Sequence, residues 1–157
     1  MRIHLLLVGK TVNKHFVELI DEYAFRVKHY IGFDITVIPE LKNTKSLSAE
    51  QQKQQEGELI LKQLQAGDHV VLLDEHGKQL RSVEFSQYME QKMQQVSKRL
   101  VFIIGGPYGF SPDVYAKANE KLSLSKMTFS HQMVRLIFVE QLYRAMTIMR
   151  GEPYHHE

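Results

Sequence analysis

The chain has 157 residues, 43% of them hydrophobic and 24% charged, enough for one domain with its own core. Its formal net charge of +2 neither requires nor excludes a nucleic-acid partner, and the lack of cysteine excludes disulfides and thiolate chemistry. No segment is long enough to span a bilayer, and Leu5 to Val8 is too short an apolar core for a signal peptide, so a cytoplasmic protein with no membrane partner is expected.

Ile3–Val8 is a short apolar run stopped by Gly9-Lys10, the pattern of a buried strand. Phe16, Leu19, Ile20, Tyr23, Ala24 and Val27 recur at helical spacing and predict an amphipathic helix over 14–29. Phe33–Ile38 is β-branched and ends at Pro39, a second strand. The polar stretch 42–57 reads as a loop entering an exposed helix, with Ser48 as cap and an end near Leu64. His69–Leu73 is a third strand and Val83–Val96 a third helix. Leu100–Ile104 is a fourth strand, followed by a short helix at Ser111–Asn119 with Pro112 in its first turn. Leu122–Leu124 reads as a fifth strand, and His131–Arg150 as a long helix followed by the tail GEPYHHE. This alternation predicts a single α/β domain over 1–157, with a mostly parallel sheet and helices on both faces.

Ligands of such sheets sit beyond the carboxyl ends of the strands. Three segments fall there: Leu73–Lys78, Gly105–Gly109 and Ser123–His131. The glycine turn is no phosphate cradle, because Phe110 follows Gly109 and Pro107 removes an amide donor. Small hydroxyl residues alternating with apolar ones in LSLSKMTFSH suit a neutral, hydrogen-bonding group such as an adenine ring, or simply a strand leading to a helix capped by Ser130. The eight histidines lack the spacing of a metal site, so no metal is expected. The long helix is apolar nearly all round, which predicts burial on several sides, most simply in a two-fold dimer with Arg135, Glu140, Arg144 and Arg150 facing a shared cleft. Tyr154 and His155 in the tail are residue types suited to acid–base work.

Five motifs in order resemble one family over essentially the whole chain. They are Val8-Gly9-Lys10, L-D-x-x-G-K from Leu73, I-G-G-x-x-G from Ile104, L-S-x-S-x-M-T-x-x-H from Leu122, and Tyr154-His155. Together they resemble the small bacterial SPOUT-superfamily methyltransferases that methylate N3 of a pseudouridine in 23S ribosomal RNA. The resemblance implies a homodimer, a C-terminal trefoil knot, and S-adenosylmethionine as methyl donor. It implies a donor pocket built from Leu73, Gly105, Leu124, Ser125, Lys126, Met127, Thr128 and Phe129. It implies a catalytic group of Tyr154 and His155, joined by Arg144 or Arg135 as a holder of base or phosphate, with positioning and proton removal not yet divided between Tyr154 and His155. The assembled ribosome is the implied substrate. Transfer RNA, another ribosomal site, or non-catalytic nucleotide binding by a dimer are the competing readings. Ser130 stands where the family often has proline, and His156 where it usually has lysine or arginine. The second departure lowers fixed charge near the RNA and makes binding more pH-sensitive.

Overall fold

The computed structural model describes residues 1–156, so Glu157 at the end of the tail lies outside the described residues. Its elements are β1 (Arg2–Val8), α1 (Lys14–Val27), β2 (Phe33–Ile38), α2 (Ala49–Gln63), β3 (His69–Gln79), α3 (Ser82–Gln95), β4 (Arg99–Ile104), α4 (Pro112–Lys117), β5 (Glu120–Ser123) and α5 (His131–Met149). The five strands pair in parallel in the order β2-β1-β4-β3-β5, as an α/β reading requires.

Both faces of the sheet are buried, which is why its strands read as unbroken apolar runs. Ile3, Leu5 and Leu7 of β1 pack with Ile20 and Val27 of α1, Phe85 and Met89 of α3, and Phe138 and Leu142 of α5. Leu6 and Val8 point the other way, onto Ile60 of α2, Val114 of α4 and Phe110. The helix starts are set by side chains, as their sequences predict. Ser48 forms a reciprocal capping box with Gln51, Ser111 caps α4, and Ser130 accepts from the Met133 amide at 3.1 Å.

Three features differ from the sequence expectations. β3 runs to Gln79 rather than stopping at Leu73. After an irregularity, Lys78 and Gln79 pair with Leu122 and Ser123 of β5. Gly77 makes this possible, because a Cβ there would sit 2.5 Å from the Leu122 backbone. Correspondingly, β5 begins at Glu120, whose Oε2 accepts from His69, Lys92 and the Tyr88 hydroxyl at 2.6, 2.7 and 3.0 Å. Finally, α5 is covered within one chain more fully than its composition implies. It lies between α1 and α3, burying Phe138, Val139, Leu142, Ala145 and Met146, while Leu136, Ile137, Tyr143, Ile148 and Met149 remain half-buried.

Candidate active site

A cavity of about 790 Å³ opens at the carboxyl ends of β3, β4 and β5. Leu73, Gly105 and the whole of Leu124–Phe129 line it, so the three separate segments meet in one place. Each segment is shaped by its own bonds. Gly109 has φ +81°, and its amide donates to the Gly106 carbonyl at 3.2 Å, closing a tight turn after β4. A Cβ on Gly105 would press on the Phe110 ring at 3.0 Å. In the next loop the Ser123 hydroxyl donates to the Ser125 carbonyl at 2.9 Å, and the Ser125 hydroxyl accepts from the Met127 amide at 2.9 Å. These two serines therefore hold the loop, a task the sequence pattern did not distinguish from ligand binding. Met127, 77% exposed, and Lys126 stand at the open side.

Sequence reasoning missed other lining residues, among them Tyr115 and Lys53, flagged Asp74 only as part of the Leu73–Lys78 segment, and singled out His131 with no role decided. The Tyr115 hydroxyl donates to Asp74, and burial followed by this bond pushes its pKa up to about 12. No sequence spacing joins these two; they meet because β3 and α4 flank the same cavity. Among the described residues, no group of three His, Asp or Glu is arranged to hold a metal.

Arg144, Tyr154 and His155 also come together, at a second place. Glu140 Oε1 accepts from Arg144 Nη2 at 2.7 Å and from the Tyr154 hydroxyl at 2.9 Å. Arg144 Nη1 donates to His155 Nδ1 at 3.1 Å, and the guanidinium lies 4.8 Å from the Tyr154 ring centroid. Tyr154 packs edge-on to Tyr143 at 4.7 Å, and Glu152 accepts from the Tyr30 hydroxyl at 2.6 Å, so the tail is docked on α1 and α5. Burial, then the bonds to Tyr23 and Glu140, raise the Tyr154 phenol well above its ordinary value. It stays neutral and acts as a hydrogen-bond donor.

Arg135 does not join this group. It is 1% exposed and donates to the Val8 carbonyl at 2.8 Å and to Thr11 at 3.0 Å, latching α5 to the end of β1. That corrects the expectation that it holds base or phosphate: the side chain is buried, and its two terminal nitrogens donate to the Val8 carbonyl and the Thr11 hydroxyl. The cavity and the Arg144 group are themselves separate within one chain. His131 lines the cavity, and thirteen residues of α5 at about 1.5 Å each put Arg144 roughly 20 Å further along.

Residues 1–155 match the family described as predicted SPOUT methyltransferase. The chain belongs to the SPOUT methyltransferase family. Among its relatives, proteins named ribosomal RNA large subunit methyltransferase H from Phocaeicola vulgatus and Bacteroides thetaiotaomicron are 69% and 68% identical over 157 residues, covering all of both chains. The protein of the same name from Flavobacterium johnsoniae is 58% identical over the same length. In this SPOUT methyltransferase, then, the whole chain aligns with its relatives, and the two residue groups lie at opposite ends of one helix.

Proposed function

We propose that the protein transfers the methyl group of S-adenosylmethionine to N3 of a pseudouridine in 23S ribosomal RNA of the assembled large subunit. It does so in the cytoplasm, as a homodimer of single domains, each with its C-terminal part threaded as a trefoil knot. The observation that carries this reading is the convergence of Leu73, Gly105 and Leu124–Phe129 on one cavity beyond the strand ends. The relatives' shared name, over full-length matches, supports the ribosomal substrate.

The cavity fits the donor. Its walls include Leu73, Ile104, Phe129 and Val134 for a flat base, with glycine backbone for close approach. Phosphate-binding residues are not needed, since this donor has no phosphate. When bound, it supplies a methyl group on an activated sulfonium. The chain's own work is to hold the acceptor in line, and proximity supplies much of the rate.

The acceptor nitrogen carries a weakly acidic proton between two carbonyl groups. Arg144 has further N–H groups beyond those given to Glu140 and His155, and its buried Nε has no acceptor among the described residues. A guanidinium beside the base carbonyls stabilises the anion left when N3 loses its proton. Tyr154, held neutral by Glu140, positions the base. With Nδ1 accepting from Arg144, the neutral His155 ring carries its proton on Nε2 and is a further donor, so the N3 proton leaves to solvent while Arg144 stabilises the anion. Because cavity and Arg144 group lie apart in one chain, the working site combines the cavity of one copy with the tail of another. The half-buried apolar residues of α5 are the surface available for that pairing.

Radiolabelled S-adenosylmethionine tests the reading. Incubated with the protein, assembled large subunits are expected to take up label while free 23S RNA and transfer RNA do not. Label in transfer RNA, or none anywhere, would overturn it.

A further inference from the structure

Behind the glycine turn lies a carboxylate that the proposed reaction does not yet use. Glu56 of α2 is 5% exposed, and it is not among the residues lining the cavity. Its Oε1 would lie 2.7 Å from a Cβ at residue 106, so the glycine lets the carboxyl group sit against the turn where it is. Oε2 accepts from Gln52 at 3.2 Å, while Oε1 has no partner among the described residues. A second carboxylate, Glu40, follows β2 and sits against Gly9, where a Cβ would be 2.7 Å from its oxygen.

The charged groups around Glu56 come from four elements. Lys53, one turn earlier on α2, lines the cavity and pairs with Glu50 at 3.1 Å. Asp113 of α4 accepts from Gln54 at 2.9 Å. Burial raises the Glu56 pKa above the ordinary carboxylate value; the Gln52 bond lowers it, the charge of Glu40 raises it, and His131 at the start of α5, which lines the cavity, lowers it. Arg135 interacts with the charge of Glu40 and donates to the Val8 carbonyl and Thr11 hydroxyl. No cation is bonded to Glu56 itself among the described residues. A desolvated carboxylate with an open oxygen, one backbone layer behind a cavity wall, is stabilised when positive charge enters that cavity.

We propose that Glu56 is the buried counter-charge for the cationic methyl donor, a positioning residue that acts through the Gly105–Gly106 wall. This rests on the reading of the cavity as an S-adenosylmethionine site. Burial, the largest influence, raises the Glu56 pKa in the empty protein and so favours its protonated form. Entry of the donor's positive charge favours the carboxylate, and a proton leaves. Donor affinity therefore rises with pH through the Glu56 titration, by about tenfold for each unit by which binding lowers that pKa.

The test is calorimetric titration of the full-length protein with S-adenosylmethionine at a series of pH values from acid to neutral, in two buffers of different ionisation enthalpy. Wild type is expected to release protons on binding. Glu56→Gln keeps the shape and an acceptor oxygen but removes the charge; it is expected to bind about tenfold more weakly and to release fewer protons. Glu56→Asp, which keeps the charge, is expected to restore part of the release. Equal release from wild type and Glu56→Gln, or none from wild type, overturns the proposal while leaving the donor site intact. No binding by wild type at all would instead remove the donor reading, and this proposal with it.

Discussion

Glu140 binds Arg144 and Tyr154 through one oxygen, so it decides what both side chains offer a substrate. Burial, then the bonds to Tyr23 and Glu140, keep Tyr154 protonated across the working range. Tyr154→Phe is therefore expected to lower kcat about tenfold, the worth of one positioning hydrogen bond, with no change in the pH at which the rate levels off. A shift in the acidic limb of the rate profile would show that the phenol titrates. A second residue pair tests the fold rather than the chemistry. Asp68, its side chain 1% exposed, accepts from Arg99 Nε at 2.9 Å and Nη2 at 2.7 Å, and from the Gln65 amide at 2.7 Å. Burial pushes its pKa up, but the Arg99 and Gln65 bonds outweigh burial and leave it lowered. A lowered folded pKa gives stability that is present above the unfolded value near 3.9 and lost as pH falls through the folded value. Asp68→Asn is expected to cost about 3 kcal/mol at pH 7 by urea denaturation, and progressively less as pH falls through the folded value, where wild type loses the same contribution. Neither role was legible in the sequence. Asp68 reads as part of a Gly-Asp turn and Tyr154 as an acid–base residue, because their partners lie 31 and 14 residues away.

Elements were legible wherever one local signal sufficed. The apolar runs of β1 and β4 are unbroken because both faces of the sheet are covered, and Ser48, Ser111 and Ser130 mark helix starts by bonds reaching only three residues. The extension of β3 was hidden because Asp74-Glu75-His76-Gly77 is polar, and its pairing depends on a close approach of Gly77 to Leu122, 45 positions away. The cavity segments were found because strand ends can be counted in order, whereas Glu56 escaped because α2 lies in a glutamine-rich, polar stretch. The tail is the element whose role is most directly testable. It docks on α1 and α5 through Tyr154–Tyr23 and Tyr154–Glu140, and on the turn after α1 through Tyr30–Glu152, away from the cavity. Deleting Pro153–Glu157 is expected to leave donor affinity within about twofold by calorimetry while reducing methyl transfer to background. Its loss removes side-chain donors at the acceptor and leaves the core unchanged. Normal turnover by the truncated protein would take the tail out of the mechanism.

For the whole molecule, the roughly 20 Å between His131 and Arg144 sets the problem. The helix cannot shorten: its middle is packed through Phe138, Val139 and Leu142 against both flanking helices and the sheet. If the cavity holds the donor and the Arg144 group meets the acceptor, as proposed, a single chain keeps the two at opposite ends of α5. Two copies with their α5 helices antiparallel bring opposite ends together and form two composite sites. Mixing inactive variants separates this arrangement from any single-chain one. Gly105→Val, whose branched side chain presses on Phe110 and closes in on the cavity, is expected to lose donor binding. Arg144→Ala is expected to bind donor but not transfer. In a mixed dimer, the intact cavity of the Arg144→Ala copy meets the intact tail of the Gly105→Val copy, and the other site is doubly damaged. Co-refolding the two in equal amounts makes half of the dimers mixed, each with one good site of two, so about a quarter of wild-type activity returns. If each chain worked with its own tail, every site would carry one lesion, and the mixture would stay as inactive as its parents.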